Sequence, residues 1–215
     1  SLEFLQDKLE KNEALLKLIE PPLTATLRGA DLTRQLLSYA RRQTLSPSLV
    51  DATALNNLIE TEIKPIMGIG VRIQEKISSD DWLLRADITG LGVALLNIAS
   101  NARDAMPGDG VLTIAVDEIR ISEGEEGRSR ADEELAAGRY IEISLTDNGV
   151  GMSSTLAAKA FQPFFTTSGE VMGRGLGLSM VQGFAKQSGG DVFIDSTLGV
   201  GTTIRLVLPK VDRDA

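Results

Sequence analysis

Strands and helices do not alternate strictly along this chain, and that order constrains the fold more than any other feature of the sequence. Apolar residues at every second position, such as Ile69, Val71 and Ile73, predict strands, and steps of three and four predict helices. The mixture favours an α+β fold, a two-layer sandwich with helices against a mixed or antiparallel sheet. The predicted elements are a helix over 52–63, strands over 68–77 and 82–86, a helix over 91–106, strands over 111–121 and 140–146, helices over 156–161 and 176–189, and strands over 191–195 and 202–208.

Residues 1–45 are predicted to form a helical hairpin that precedes the second domain, 46–215. Pro21 and Pro22 end the first helix, and a second amphipathic helix follows over 24–42. Two copies of such a hairpin would bury their apolar stripes in a four-helix bundle, which predicts a homodimer. The alternative is a hairpin that packs on its own chain's second domain. The seam of the first helix runs through Leu2, Leu5, Leu9, Asn12, Leu16 and Ile19.

The chain contains no cysteine and no histidine, and its net charge is −8. It therefore lacks a thiolate nucleophile, the usual general base and the commonest metal ligand. The negative charge disfavours a nucleic-acid partner. No apolar run approaches the ~20 residues that span a bilayer, so we expect no membrane contact by this segment and a cytoplasmic location, whether or not its parent protein is membrane-anchored. Any chemistry must use carboxylates, amides, hydroxyls, backbone groups and a hard cation.

Two amides and a carboxylate share one face of the helix predicted over 91–106. Asn97, Asn101 and Asp104 are spaced at i, i+4 and i+7. Magnesium takes oxygen ligands and usually keeps several waters, so an asparagine carbonyl and phosphates could share the ion. A solvent-facing polar stripe is the alternative.

Asp147 directly follows a predicted strand and begins the sequence Asp-Asn-Gly-Val-Gly-Met. A carboxylate at a strand end can accept a hydrogen bond from an exocyclic amine such as that of adenine. Gly149 and Gly151 would let the backbone approach a flat ligand closely. An ordinary turn is the alternative, because Asp-Asn-Gly favours turns by itself.

Two further glycine clusters precede predicted elements. Residues 173–178, Gly-Arg-Gly-Leu-Gly-Leu, directly precede a predicted helix. The glycines provide unhindered amides and the helix start adds a positive dipole end, so this segment is a candidate anion site. Residues 199–203, Gly-Val-Gly-Thr-Thr, precede the last strand and could place a hydroxyl near a bound base. A tight hairpin is the alternative for the second cluster.

Taken in order, these clusters resemble the ATP-binding domain shared by histidine kinases, type II topoisomerases, ninety-kilodalton heat-shock chaperones and mismatch-repair ATPases. Within that superfamily the chain is similar to sensor histidine kinases of the nitrogen-regulator type. The resemblance covers 51–209, and 29–43 is similar to the second helix of the family's dimerisation hairpin. The motifs that carry it are NARDAM, DNGVGM, FQPFFTT, GRGLGLSMVQGFAKQSGG and GVGTT.

The resemblance implies a Bergerat-type ATP-binding fold that binds ATP with Mg²⁺. It implies transfer of the γ-phosphate to a histidine, for relay to an aspartate in a response-regulator receiver domain. Asn101 would ligate the metal, Asp147 would accept from the adenine amine, and residues 161–167 would begin a lid, with Phe164 and Phe165 packed on the core. The ATP-binding residues that it implies are Asn97, Asn101, Asp104, Asp147, Gly149, Gly151, Met152, Phe165, Thr166, Thr167, Gly173, Arg174, Gly175, Leu176, Gly177, Leu178 and Thr202.

The chain departs from the family pattern in three ways. The phosphoacceptor histidine is absent, which we interpret as truncation past it; a pseudokinase or phosphotransfer-type docking module is the alternative. Ser168 stands where relatives often carry lysine, a charge that Arg174 would supply. Asn97 replaces the glutamate that activates water in the hydrolysing members, and an amide is no general base. This predicts slow ATP hydrolysis and disfavours a mechanical ATPase.

Overall fold

The structure is a computed structural model, and its described residues all fall within Leu45–Ala215. The hairpin predicted over 1–45 lies outside the described residues, so the hairpin and the domain boundary stay predictions. Within the described ranges, no helix combines the length and the hydrophobicity that crossing a membrane requires. The described residues are 46–79, 81–122, 135–166 and 175–212.

The described residues form one seven-stranded sheet with helices packed on one of its faces, which confirms the predicted α+β sandwich. The strands are β1 (Ser48–Val50), β2 (Val71–Ile77), β3 (Leu83–Ala86), β4 (Gly110–Ile121), β5 (Gly138–Asp147), β6 (Asp191–Thr197) and β7 (Gly201–Val211). The helices are α1 (Ala52–Leu58), a π-helical segment (Ile59–Ile63), α2 (Lys64–Met67), α3 (Ile88–Ala105), α4 (Ser154–Ala157) and α5 (Gly177–Gln187).

The strand order is β1-β3-β7-β5-β4-β2, and β6 also pairs with β7. The β2–β4 pair is parallel and the other pairs are antiparallel, so the sheet is mixed. Strand β7 has eleven residues, which is long enough for two neighbours on one edge. Its first part pairs with β6 and its end, at Lys210 and Val211, pairs with β3.

The predicted helices and strands within the described residues all exist, with ends that differ from the structure by up to three residues in most of them, as for the helix that begins at Ile88 and the strand that ends at Val211. Larger differences occur in three places. Strand β1 was not predicted, because three residues after a polar, proline-containing segment carry no periodicity. The helix predicted over 156–161 is shorter and begins earlier, at Ser154, because the Ser153 hydroxyl caps it by accepting from the Leu156 N–H. The helix predicted over 52–63 is capped by the Asp51 carboxylate, which accepts from the Ala54 N–H, and it continues to Met67.

The inner face of the sheet is apolar in its central rows across β4, β5, β7 and β6. Register aligns Val116, Ile143, Leu206 and Val192 across β4, β5, β7 and β6, and the next row contains Ile114, Leu145, Ile204 and Ile194. These two rows contact the helices and make up much of the core. The row after them consists of Leu112, Asp147, Thr202 and Ser196. The inner face therefore ends in a polar row, where the candidate site begins.

Substitution of two glycines, Gly183 inside α5 and Gly190 directly before β6, tests the packing in this region. A Cβ on Gly190 would lie 1.9 Å from the Val207 carbonyl oxygen, whereas a Cβ on Gly183, inside α5, would meet nothing within 4 Å. We expect Gly190→Ala to lower the free energy of unfolding by about 1–3 kcal/mol or more. We expect Gly183→Ala to raise it by about 0.5–1 kcal/mol, because alanine favours the helix. Urea unfolding of both variants measures this, and equal effects would contradict the packing.

Candidate functional site

Asp147 is a buried carboxylate at the end of β5. Its side chain lies in the polar row of the inner face, and the residue is only 7% exposed. Its Oδ1 accepts hydrogen bonds from the Gly149 N–H at 2.8 Å and the Thr202 N–H at 3.2 Å. Neither of these bonds uses Oδ2. The geometry therefore fixes the carboxylate through one oxygen and leaves the other available to a ligand that donates.

Burial raises the pKa of the Asp147 carboxyl above its ordinary value of 3.8, and the N–H groups of Gly149 and Thr202 oppose that rise only in part. A charged group in this position is stabilised by two amide dipoles but loses most of its hydration. A ligand that donates a hydrogen bond to it would replace part of that lost hydration.

The loop after Asp147 is bound to two other segments through backbone hydrogen bonds. The Val150 N–H donates to the Ala105 carbonyl at the end of α3 (2.9 Å), and the Val150 carbonyl accepts from Gly199 in the β6–β7 turn (2.7 Å). A Cβ on Gly149 would lie 2.4 Å from the Ala105 oxygen. The site loop is thereby attached to the C-terminal end of α3.

The structure explains why glycine occupies positions 149 and 151 in this loop, which the sequence alone does not show. Gly151 has φ +61°, and a Cβ there would lie 2.0 Å from the Thr197 carbonyl oxygen. The protein's own backbone therefore already requires glycine at positions 149 and 151. The role in admitting a flat ligand stays a prediction for both.

Ser196 is a site residue that sequence reasoning missed. Its Oγ accepts from the Met152 N–H at 2.8 Å and lies 2.8 Å from the Thr202 Oγ1. It also lies 3.1 Å from the Gly201 carbonyl oxygen, to which it can donate. The alternation of Val192, Ile194 and Ser196 in β6 could have indicated that this hydroxyl shares the face of the core residues.

The polar face predicted on α3 exists, but its members have different surroundings. The Asn97 Nδ2 donates to the Val93 carbonyl at 2.9 Å, and its Oδ1 would lie 3.0 Å from a Cβ on Gly177. Asn101 is exposed. Asp104 is exposed too, and its Oδ1 accepts from the neighbouring Arg103 guanidinium at 2.9 and 2.7 Å.

The N-terminal end of α5 faces Asn97 across a close contact. Among the described residues no side chain caps this end, and the residue before it, Leu176, is apolar and buried at 3% exposure. Leu176 thus provides no acceptor to the first amides of α5, and the helix dipole adds a partial positive charge there. Because α3 continues from Asn97 to Ala105, about 12 Å at 1.5 Å per residue, it joins the start of α5 to the Asp147 loop.

The predicted packing of Phe164 on the core is wrong. Phe164 has φ +65° and is 65% exposed, whereas Phe161 packs against the core. The Phe164 N–H donates to the Gly175 carbonyl at 2.8 Å, which joins the two ends of the segment between them. Phe165 is half-buried at this junction. The backbone at Phe164 directs its ring outward, and sequence periodicity cannot show such a reversal.

The structure brings the predicted residues together in two groups joined by α3. The first contains Asp147, Gly149, Gly151, Met152 and Thr202, and the second contains Asn97 and residues 175–178. In the described part of the chain, no group of three or more acidic residues could hold a metal by itself. Thr167, Gly173 and Arg174, and with them the suggested compensation for Ser168, lie outside the described residues.

Comparisons with known proteins find relatives among the sensor kinases. Sensor kinase CckA from Brucella abortus (strain 2308) is 36% identical over 184 residues, which are 86% of this chain and 19% of that protein. Sensor histidine kinase ZraS from Escherichia coli (strain K12) is 30% identical over 179 residues, 81% of this chain and 34% of that protein. The chain thus spans about a fifth to a third of these relatives.

Two solved structures share the fold. Full-length ShkA in complex with AMPPNP has a TM-score of 0.70 at 23% identity, over 94% of this chain and 39% of that chain. Histidine kinase ThkA in complex with response regulator TrrA has a TM-score of 0.67 at 18% identity, over 98% and 57%. The model of the family "Histidine kinase-, DNA gyrase B-, and HSP90-like ATPase" matches residues 86–212, which are 127 of the 215 residues. The chain therefore belongs to the family of histidine kinase-, DNA gyrase B- and HSP90-like ATPases.

Proposed function

We propose that this chain is the region of a sensor histidine kinase that binds ATP with Mg²⁺. The whole protein would transfer the γ-phosphate to a histidine and relay it to an aspartate of a response-regulator receiver domain. The observation that supports this best is the Asp147 carboxylate, buried and fixed through Oδ1 by two backbone N–H groups.

Asp147 would recognise the base. Its Oδ2 can accept from the exocyclic amine of adenine, and a hydrogen bond to a charged acceptor inside a buried site discriminates strongly between bases. Thr202 and Met152 are joined to this carboxylate and to each other through the Thr202 N–H and the Ser196 hydroxyl. The polar row of the sheet would thus form the base end of the pocket.

The phosphates would lie between the N-terminal end of α5 and the polar face of α3. The uncapped amides of α5 suit the phosphate oxygens. Asn101, exposed on α3, would provide a carbonyl oxygen to Mg²⁺ while the phosphates provide further ligands. Such sharing fits a described surface that contains no acidic metal cluster. When bound, the metal would neutralise charge on the transferred phosphoryl group.

The proposed partners rest on the relatives and on the predicted hairpin. ThkA was solved in complex with a response regulator, and CckA and ZraS are named sensor kinases. By analogy we propose a receiver domain as partner and a homodimer through residues 1–45. The docking-module alternative is not favoured, because the described base-binding groups are intact.

Asp147→Asn tests the base-binding role. The asparagine oxygen can still accept from Gly149 and Thr202, but an N–H₂ group would replace the free oxygen and meet the adenine amine. We expect the affinity for a non-hydrolysable ATP analogue with Mg²⁺ to fall at least about tenfold, as expected for a hydrogen bond to a charged group. Calorimetric titration measures it. Asp195→Asn, the same change on an exposed residue of β6, is the matched control. Equal affinities of wild type and Asp147→Asn would contradict the proposal.

The pH dependence of stability gives an independent test of the buried carboxylate. Burial raises the pKa of the Asp147 carboxyl in the folded state. The protonated carboxyl therefore contributes favourably to the free energy of unfolding below pH 3.8, and this contribution is lost as the pH rises through the raised pKa. Asparagine does not titrate. We therefore expect the stability of Asp147→Asn, relative to wild type, to increase from about pH 4 to about pH 7 in urea unfolding. A difference that decreases over this range would contradict the burial.

Slow hydrolysis is expected because Asn97 offers no general base. Its amide nitrogen donates to Val93 and cannot take a proton from water near neutral pH. We expect steady-state ATP turnover below about 1 per second, the low end of ordinary enzyme rates. A coupled phosphate-release assay measures it. Turnover at or above that value would instead favour the mechanical ATPases of the family.

A further inference from the structure

Ser196 lies in the same cross-strand row as the carboxylate proposed to read the base. Register pairs Asp147 with Thr202 across β5 and β7, and Thr202 with Ser196 across β7 and β6. All three side chains therefore share the inner face of the sheet. The proposed function uses the Ser196 hydroxyl only to join Met152 to Thr202 and gives it no part in the choice of base.

The contacts of Ser196 determine where its proton and that of Thr202 must lie. A serine hydroxyl has one proton and two lone pairs. The Gly201 carbonyl, 3.1 Å away, can only accept, and the Met152 N–H, 2.8 Å away, can only donate. The third contact, 2.8 Å to the Thr202 Oγ1, admits either direction. All three bonds form together only if Ser196 donates to Gly201 and Thr202 donates to Ser196.

In this arrangement the Thr202 hydroxyl uses its proton within the protein. Only its lone pairs are then available to a ligand, on the residue that the register pairs with Asp147. The wall of the base pocket presents two acceptors and no hydroxyl donor. Where both acceptors face position 6 of a purine, an amine there can donate one proton to each of them. A carbonyl oxygen at the same position would face two acceptors, so the pair favours the 6-amine over the 6-carbonyl.

We infer that Ser196 is a positioning residue that makes the pocket select 6-aminopurine over 6-oxopurine nucleotides by fixing the proton of Thr202. This inference rests on the proposed function. If the Ser196 hydroxyl is removed, the Thr202 hydroxyl is free to rotate and to donate to a carbonyl at position 6. The adenine preference then weakens even where the pocket itself stays intact.

The test compares ATP with inosine triphosphate, whose base carries a carbonyl in place of the amine. Ser196→Val and Ser196→Thr have the same shape and differ only in the hydroxyl. Calorimetry on the whole chain with Mg²⁺ gives the affinity ratio of the two nucleotides for each variant. We define the ratio as the affinity for ATP divided by the affinity for inosine triphosphate. We expect Ser196→Thr to keep the wild-type ratio. We expect Ser196→Val to lower it about three- to tenfold, the range that one net hydrogen bond contributes.

Two further variants address folding and mechanism. Ser196→Ala removes the hydroxyl without adding volume, and we expect the same lowered ratio, so the test does not depend on valine being accommodated. In a Thr202→Val background, adding Ser196→Val should leave the ratio unchanged, because the proton that Ser196 positions is gone. A further drop in that background would overturn the inference.

The outcomes separate this inference from the proposed function. If Ser196→Val and Ser196→Ala weaken both nucleotides equally, Ser196 only supports the loop through the Met152 N–H, and the inference is overturned while ATP binding is retained. If Ser196→Thr lowers the ratio as much as Ser196→Val, shape rather than the proton sets selectivity, and the inference is also overturned. A wild-type chain that binds neither nucleotide would contradict the proposed function itself.

Discussion

The candidate site depends on one buried carboxylate, that of Asp147, at the end of β5. Asp147 ends a strand whose inner-face neighbours, Leu145 and Ile143, are part of the core, so its side chain is directed to the same buried side. A buried charge is unfavourable unless hydrogen bonds compensate for its lost hydration. Backbone N–H groups of Gly149 and Thr202 compensate in part. The remaining requirement for a donor is what makes the end of the sheet suitable for a ligand.

Close backbone contacts turn this carboxylate into part of a larger site. The loop after Asp147 approaches the Ala105 carbonyl so closely that only glycine fits at position 149. The same loop accepts from the β6–β7 turn through the Val150 carbonyl. These contacts attach the base end of the proposed pocket to α3, and α3 in turn contacts the start of α5 at Asn97. In the proposed site, recognition of the base and of the phosphates would therefore depend on α3, which contacts both ends of the pocket.

Much of the fold followed from periodicity, because the strands have one buried face and the longer helices have an apolar stripe. The sequence also identified the polar clusters around Asn97, Asp147 and Thr202 as candidate site residues. Their connections were not predictable: Ser196 meets Met152 and Thr202 only through the pairing of β6 with β7, and sequence does not give strand order. Strand β1 was too short to show a period. The outward ring of Phe164 follows from a positive φ, which aromatic composition does not predict.

The most direct test of a single nucleotide site is to map the bound nucleotide by NMR on the isotope-labelled chain. Titration with a non-hydrolysable ATP analogue and Mg²⁺ should shift the amide resonances of Gly149, Met152 and Thr202 at the base end. It should also shift those of Gly177 and Leu178 at the start of α5. Shifts confined to one of these groups, or to neither, would contradict a site that spans α3 from the carboxylate to the helix start.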